Sequence, residues 1–169
     1  MHIRYLVSQF PSISETFILD QVSSTIKSGH DVDIYAQHKP NWNKTHPQVE
    51  EFNLIEKTIY SGIPKNKFHR IPSAIYHIAS SLDEDPRKVV EGLNIVQYGR
   101  NAVALKHLHG LLTYPAGDPD ILHCHFGPNG NIGAALKKLG HIRNLIVSFH
   151  GSDIEQPYLI QNKYEPLFK

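Results

Sequence analysis

The sequence predicts an α/β fold whose sheet is doubly wound and mostly parallel. Two β-α-β patterns support this prediction, one in residues 2–36 and one in residues 120–153. In both, an apolar run of strand length leads into apolar residues at helical spacing and then into a second β-branched run. Connections between parallel strands share one hand, so the carboxyl ends of these strands should meet at one edge of the sheet, where open α/β folds bind ligands.

The first pattern predicts a buried strand at residues 2–8, a helix at about residues 13–27 and a second strand at residues 31–36. Ser12 and Glu15 have the spacing of a capping box, which predicts that they cap this helix. The turn before the helix contains neither G-x-G-x-x-G nor G-x-x-x-x-G-K-[ST]. Because these phosphate-binding loops are absent, nicotinamide-dependent dehydrogenases and P-loop nucleotidases are disfavoured.

The middle of the chain has weaker patterns. They predict a brief strand at residues 58–60, a helix at residues 68–82 and a helical region from residue 87 to about residue 112 that is interrupted once. One more helix is predicted at residues 156–168. A doubly wound domain would continue through further strands, so we expect residues 1–169 to form a single domain that is the front part of a longer protein.

The second β-α-β pattern predicts a strand at residues 121–126, a Gly/Pro/Asn turn at residues 127–131, a helix and a strand at residues 145–149. Each strand leads into a histidine beside a glycine motif, with His125 in the first and His150 after the second. Two imidazoles should therefore face one crevice. The turn should leave amide N–H groups open to anions or sugar hydroxyls at the start of the helix.

Composition disfavours several classes of protein. The chain has 169 residues, of which 40% are hydrophobic and 20% charged, which suits one globular domain. Its formal net charge of +1 predicts no nucleic-acid partner, because such a partner needs a concentrated basic face. No segment approaches the roughly 20 apolar residues of a membrane-spanning helix. The single cysteine, Cys124, cannot form an internal disulfide, so a cytoplasmic location is the default expectation.

Several polar residues at the predicted edge have more than one interpretation. His123 and His125 are two apart on a strand and point to one face, as in half of a metal site. A catalytic zinc site needs a third protein ligand, and no residue at a diagnostic spacing supplies it, so the alternative is a hydrogen-bonded core His123. His150 suits a polar substrate or is a turn residue. Glu15 caps a helix or belongs to the crevice, and Asp153 orients an imidazole or caps a final helix.

Four segments in order, residues 5–18, 29–32, 120–127 and 148–153, resemble the amino-terminal domain of family-4 (group 1) glycosyltransferases. The resemblance is to the bacterial exopolysaccharide branch, which includes colanic acid and amylovoran biosynthesis enzymes. It covers both ends of the chain well and residues 37–117 poorly. It implies the amino-terminal half of a GT-B fold, in which two Rossmann-like domains face each other across a cleft.

For the activity, the resemblance implies a retaining glycosyltransferase of bacterial surface polysaccharide synthesis. It implies no metal and no cofactor, with a nucleotide-sugar as co-substrate. This chain would be the acceptor-binding domain, inactive alone, and a nucleotide-sugar domain with an E-x7-E motif would lie outside it. The expected partner is a saccharide acceptor. With a lipid-linked acceptor, we expect at most peripheral membrane contact, at the inner face of the plasma membrane.

For the site, the resemblance implies that His150 is the catalytic histidine of the cleft. His125, Phe126 and Gly127 would form an acceptor-side loop, to which Asn129 also belongs. These five residues follow the two strands whose carboxyl ends should share one edge.

The first loop is expected to contact the acceptor through Ser12 and Glu15. Many relatives have a glycine pair near the donor phosphates at this place, and this sequence departs from that pattern. Gly151 and Asp153 follow His150 in sequence and are expected to support the cleft.

Two other classes of protein stay open at this point. One is a non-catalytic, flavodoxin-like α/β module that binds a small ligand in the same crevice. The other is a metal-dependent hydrolase built on His123 and His125. An E-x7-E segment in the downstream coding sequence would favour the transferase over the binding module, and metal analysis of the purified protein would decide the hydrolase.

Overall fold

The computed structural model of the chain describes residues 1–41, 46–153 and 164–168. The strands in these ranges are β1 His2–Gln9, β2 Asp31–His38, β3 Thr58–Tyr60, β4 Ile121–His125 and β5 Leu145–Ser148. They form one sheet in the order β3-β2-β1-β4-β5, and every pairing in it is parallel. The predicted α/β class with a Rossmann-like, doubly wound sheet is therefore confirmed.

Helices cover the sheet between and after these strands. Their bounds are α1 Thr16–Lys27, α2 Pro47–Glu51, α3 Lys67–Ser81, α4 Pro86–Gly92, α5 Ile95–Tyr98, α6 Arg100–Val103, α7 Lys106–Leu112 and α8 Gly127–Lys138. Single turns of 3-10 helix lie at Gly151–Asp153 and Glu165–Leu167. Among the described residues, none of the helices combines the length and the apolar character that crossing a bilayer requires.

The two faces of the sheet belong to two core clusters, because the central strands are apolar on both sides. Tyr5 and Val7 of β1 pack in one cluster with Val22 of α1. Leu6, which points to the other face, packs in the second cluster with Leu136 of α8. The alternation along β1 therefore puts α1 on one face of the sheet and α8 on the other.

The winding of the sheet reverses between β1 and β4. These strands are neighbours at the centre of the sheet, with Leu6 opposite Cys124. The carboxyl ends of β1 and β4 thus flank a topological switch point, where sheets of this class bind ligands. Cys124 is fully buried, and this burial raises the pKa of its thiol, so it is the small core residue that its apolar surroundings require.

The predicted capping box at the start of the first helix is wrong. Helix α1 begins at Thr16, and Glu15 occupies the N-cap position without making a side-chain capping hydrogen bond. The reason is that tertiary contacts hold the residues before the helix. The chain leaving β1 first buries Phe10, which is 2% exposed, and the Tyr60 hydroxyl donates to the Phe10 carbonyl at 3.0 Å. This anchoring keeps the segment through Ser12 in a loop, so the helix starts later than its sequence pattern suggests.

The helical region predicted at residues 87–112 is divided into four helices, α4 to α7. The side chains of Asp85 and Asn94 accept hydrogen bonds from backbone amides at the starts of α4 and α5. Gly99 and Leu105 have φ values of 50° and 56°, which end the preceding helices. Side-chain caps and local backbone turns cause these breaks. Because neither changes the spacing of apolar residues, that spacing predicted only one of the breaks.

Two further predictions concern residues 127–131 and residues 156–168. Residues 127–131, predicted as a turn, are the first turns of α8. Their glycines allow close packing, since a Cβ on Gly130 would lie 2.8 Å from Cγ1 of Val147. The helix predicted at residues 156–168 falls largely outside the described residues, and its described part contains the 3-10 turn at Glu165–Leu167.

His107 of α7 is a buried histidine that stays neutral in the folded chain. It is 2% exposed and stacks on Tyr98 with ring centroids 3.7 Å apart. Among the described residues, its Nε2 has no hydrogen-bond partner. Burial lowers the pKa of His107 to about 3, against a weaker opposing effect of Glu91.

The free energy of unfolding should therefore fall as the pH drops from about 6.5 towards about 5. Unfolded His107 titrates near 6.5 and folded His107 near 3, so protons bind preferentially to the unfolded chain in this window. His107→Phe keeps the ring stack and removes the titrating group, so it should flatten the pH dependence of the urea unfolding midpoint. His69→Phe, at an exposed position of α3, is the control and should keep the wild-type slope. Equal slopes in wild type and His107→Phe would contradict the assignment.

Candidate functional site

Three imidazoles form a row at the carboxyl edge of the sheet. His123 and His125 lie on the α1 face of β4 and stack with ring centroids 4.7 Å apart. The ring of His150, which follows β5, lies edge to edge with that of His125, with centroids 5.2 Å apart and ring planes 8° apart. Nδ1 of His125 and Nε2 of His150 are 3.0 Å apart, a hydrogen-bond distance. The structure thus brings together the two strand-end imidazoles that were expected to share one crevice.

His125 lies behind His150 and has no exposed surface. Burial first, and then the neighbouring His123 and His150, lower the pKa of His125 to about 3, so this imidazole is neutral. Its Nε2 is buried and, within the described residues, has no hydrogen-bond partner. A proton on Nδ1 leaves only an acceptor unpaired, so Nδ1 is the donor to Nε2 of His150.

The sequence left two interpretations of His123, half of a metal site or a hydrogen-bonded core histidine. The structure shows the hydrogen-bonded core histidine. Its Nε2 lies 2.8 Å from the Ser148 hydroxyl, and its Nδ1 lies 3.5 Å from Nε2 of Gln21 on α1. Burial, with a smaller contribution from His150, lowers the pKa of His123. Among the described residues, no three His, Cys, Asp or Glu side chains are arranged to hold a metal ion.

Two phenylalanine rings pack against His150. The ring centroid of Phe17 is 4.3 Å from that of His150, and the centroid of Phe126 is 4.8 Å away. Phe126 has a φ of 69°, in the left-handed region that non-glycine residues rarely occupy. Phe17 is an apolar residue of α1, yet it is 40% exposed. Phe17 lies in the first turn of α1, at the same sheet edge as His150. This position is the sequence feature that could have predicted its contact with His150.

Asp153 joins the two loops that carry the histidines. Its Oδ1 accepts a hydrogen bond from the backbone N–H of His150 at 2.6 Å, and its Oδ2 accepts one from the N–H of Gly127 at 2.9 Å. Gly127 is the first residue of α8, so the carboxylate also caps the positive end of that helix. Asp153 therefore caps the preceding helix, whereas the start of the final helix considered from the sequence lies outside the described residues. Gly151, between His150 and Asp153, turns the backbone with a φ of 45°.

Ser12 and Glu15 line a cavity of about 250 Å³ beside α1. Burial raises the pKa of Glu15, while a hydrogen bond with Ser12 and the charge of His150 act in the opposite direction. Glu15 is thus within electrostatic reach of His150. The cavity also has an apolar lining: Phe10, Pro11, Ile13, Ile18 and Leu19.

Asn129 and Gly127 lie in the buried part of the site. Asn129 is 0% exposed, and its Oδ1 accepts a hydrogen bond from Nε2 of Gln37 at 2.7 Å. Its Nδ2 donates to the His125 carbonyl at 2.7 Å and to the Ser8 hydroxyl at 3.2 Å. A Cβ on Gly127 would collide with the ring of Tyr164. The amide of Gly127, expected to be open to a ligand, is instead used by Asp153.

Asp153→Ala should lower the free energy of unfolding by about 2–4 kcal/mol, because it leaves two backbone amides without their acceptor. Asp118→Ala is the control, since Asp118 is exposed and its ion pair with Arg143 spans 3.5 Å at the surface. We expect that control to change the free energy by less than about 1 kcal/mol. Urea denaturation of the three proteins measures both values. Similar losses in the two variants would show that the Asp153 bridge is not a special support of the fold.

No family model matches the chain, and no solved structure matches it. Curated proteins do match. WcaL of Salmonella typhimurium, whose name is that of a colanic acid biosynthesis glycosyltransferase, is 30% identical over 177 aligned positions, which cover 100% of this chain and 43% of WcaL. WcaL of Escherichia coli strain K12 has the same identity and coverage. AmsK of Erwinia amylovora, an amylovoran biosynthesis glycosyltransferase by name, is 29% identical over 166 positions, covering 95% of this chain and 40% of AmsK.

The chain spans less than half the length of these relatives, 40% to 43%. The alignments with the two WcaL proteins cover the whole chain, including the middle that carried no recognised motif. The resemblance to colanic acid and amylovoran biosynthesis enzymes predicted from the sequence is confirmed, and the chain is similar over its length to part of glycosyltransferases that carry those names.

Proposed function

We propose that this chain is the acceptor-binding domain of a retaining glycosyltransferase of GT-B architecture. The complete enzyme would move a sugar from a nucleotide-sugar to a saccharide acceptor in bacterial surface polysaccharide synthesis. Homology to exopolysaccharide glycosyltransferases supports the reaction class. The structural observation that carries the proposal is the His150 imidazole, fixed by His125 at the carboxyl edge of the sheet.

His150 is restrained on three sides, which suits a group that acts beside a reacting sugar. Its ring nitrogen is hydrogen-bonded to His125, its ring faces contact Phe17 and Phe126, and its backbone amide donates to Asp153. A polar group held in this way needs little reorganisation when charge develops in the transition state. His150 is the residue that we assign to the catalytic step.

His125 would act through His150 and not on the substrate. Its side chain has no exposed surface, so a sugar cannot reach it in this conformation. Its neutral imidazole donates from Nδ1 and thereby fixes one tautomer and one ring orientation of His150. His125 is therefore a positioning residue in this proposal, although the sequence resemblance suggested acceptor contact.

The acceptor would bind beside the first loop. The cavity of about 250 Å³ at Ser12 and Glu15 combines a hydroxyl and a carboxylate with an apolar wall. Sugar rings present both hydroxyl groups and C–H faces, so they need both kinds of lining. Glu15 is close enough to His150 for the charge of His150 to lower its pKa, which supports an acceptor site in this cavity near the proposed catalytic residue.

The nucleotide-sugar would be held by residues outside this chain. The relatives are more than twice as long as the part that this chain matches, which leaves room for a donor-binding domain in the complete protein. That domain would stabilise the charge on the leaving diphosphate with basic residues, without a metal or another cofactor. If the acceptor is lipid-linked, the enzyme would work at the inner face of the plasma membrane.

In the complete transferase, His150→Ala should lower turnover by about a hundredfold or more, since it removes the fixed polar group beside the reacting centre. Its unfolding temperature should stay close to that of wild type, because His150 is only half buried. His69→Ala, an exposed histidine change on α3, is the matched control. Turnover is measured as nucleotide released from the nucleotide-sugar in the presence of acceptor. A rate equal to that of the control would remove His150 from the catalytic site.

The 169-residue chain alone should show no turnover with any nucleotide-sugar and saccharide acceptor, because it would lack the donor-binding residues. The assay measures nucleotide release with the isolated chain, and the complete transferase serves as the positive control. Robust turnover by the isolated chain would contradict the division of labour between two domains.

A further inference from the structure

A second cavity lies at the same edge of the sheet, on the face covered by α8. Its volume is about 220 Å³, and Gln37 and His38 at the end of β2, Asn101, Lys106 and His107 contribute to its lining. Asn129 also lines it, and the same side chain holds the His125 carbonyl. The cavity and the imidazole row therefore share one buried residue of α8.

Positive charge is concentrated around this cavity. Burial, and then the charges of Lys65, Lys106 and Arg70, lower the pKa of His38, so three cations lie within electrostatic reach of its ring. In the part of the chain that the structure describes, no carboxylate forms an ion pair with any of these three cations. Like charges held together without a counter-charge repel each other and attract an anion from solution.

Arg70 organises this cluster. It is 5% exposed, and its guanidinium donates to the carbonyls of Pro64, Lys65 and Ala104 at 2.7, 3.0 and 3.2 Å. These contacts tie the loop that carries Lys65 to the turn that precedes Lys106. The backbone at Lys65 is thus held near the turn before Lys106 by a buried guanidinium, whose hydrogen bonds within the described residues go to carbonyl oxygens.

The cavity wall offers polar groups for a sugar. Nε2 of His107 is buried and, among the described residues, lacks a hydrogen-bond partner, although His107 lines the cavity. The amides of Gln37 and Asn101 suit hydroxyl groups. None of the described lining residues is Phe, Tyr or Trp, so the cavity has no large ring on which a nucleobase would stack.

We propose that this cavity binds the phosphate of a phosphorylated saccharide acceptor, with Lys106, which lines the cavity, as its cationic ligand. The inference rests on the proposed transferase function and deepens it, because it assigns the acceptor to the class of sugar phosphates or sugar diphosphates. The phosphate would sit on the α8 face, and the sugar would extend past Asn129 towards His150.

Titration of the purified 169-residue chain with glucose 1-phosphate, glucose and uridine diphosphate, followed by NMR chemical shifts at low ionic strength, tests this site. Glucose 1-phosphate should bind at least about tenfold more tightly than glucose, and Lys106→Gln should weaken its binding about tenfold. Lys137→Gln removes the same charge from the exposed last turn of α8 and should leave the affinity unchanged. Circular dichroism checks that both variants are folded.

Three outcomes would overturn the proposal. Glucose 1-phosphate that binds no better than glucose would remove the anion site, and an equal loss in Lys137→Gln would reduce it to a general effect of net charge. Competition by uridine diphosphate, with the same dependence on Lys106, would assign the site to the donor nucleotide instead of the acceptor. The titration involves no turnover, so its failure leaves the His150 assay unaffected, and a failed His150 assay leaves this binding result standing.

Discussion

The arrangement of the site depends on one buried carboxylate. Asp153 accepts hydrogen bonds from the amides of His150 and Gly127, which are far apart in sequence and lie in the loops after β5 and β4. A carboxylate that is 7% exposed is stable only when its oxygens are paired. Both amides and the positive end of α8 supply that pairing, so the loop that carries His150 cannot move without unpairing a buried charge.

The histidine row forms because Asp153 holds the loop after β5 beside the start of α8. With His150 held beside β4, its ring meets His125, which in turn stacks on His123. Positive charges on neighbouring imidazoles repel each other, and burial already favours the neutral form of His123 and His125. His123 and His125 therefore form an uncharged, hydrogen-bonded support, and the half-exposed His150 at the end of the row is the one that can meet a substrate.

The sheet and the meeting of His125 with His150 were predictable from sequence because they depend on general rules. Strand periodicity and the single hand of crossovers bring strand ends to one edge, whatever the details of the loops. The predictions failed where distant residues decide the local structure. Phe10 enters the core and delays α1, and the glycines at the start of α8 serve contacts with Tyr164 and Val147, which no local pattern reveals.

The two cavities differ in chemistry because they lie on opposite faces of the same sheet edge. The α1 face carries apolar side chains and Glu15, whereas the α8 face carries amides and Lys106. Asn129 lies between them, fully buried, with its amide engaged by Gln37, Ser8 and the His125 carbonyl. An acceptor with one ionic and one neutral end would match this polarity. The residue that separates the two cavities would then set the distance between its phosphate and its reacting hydroxyl.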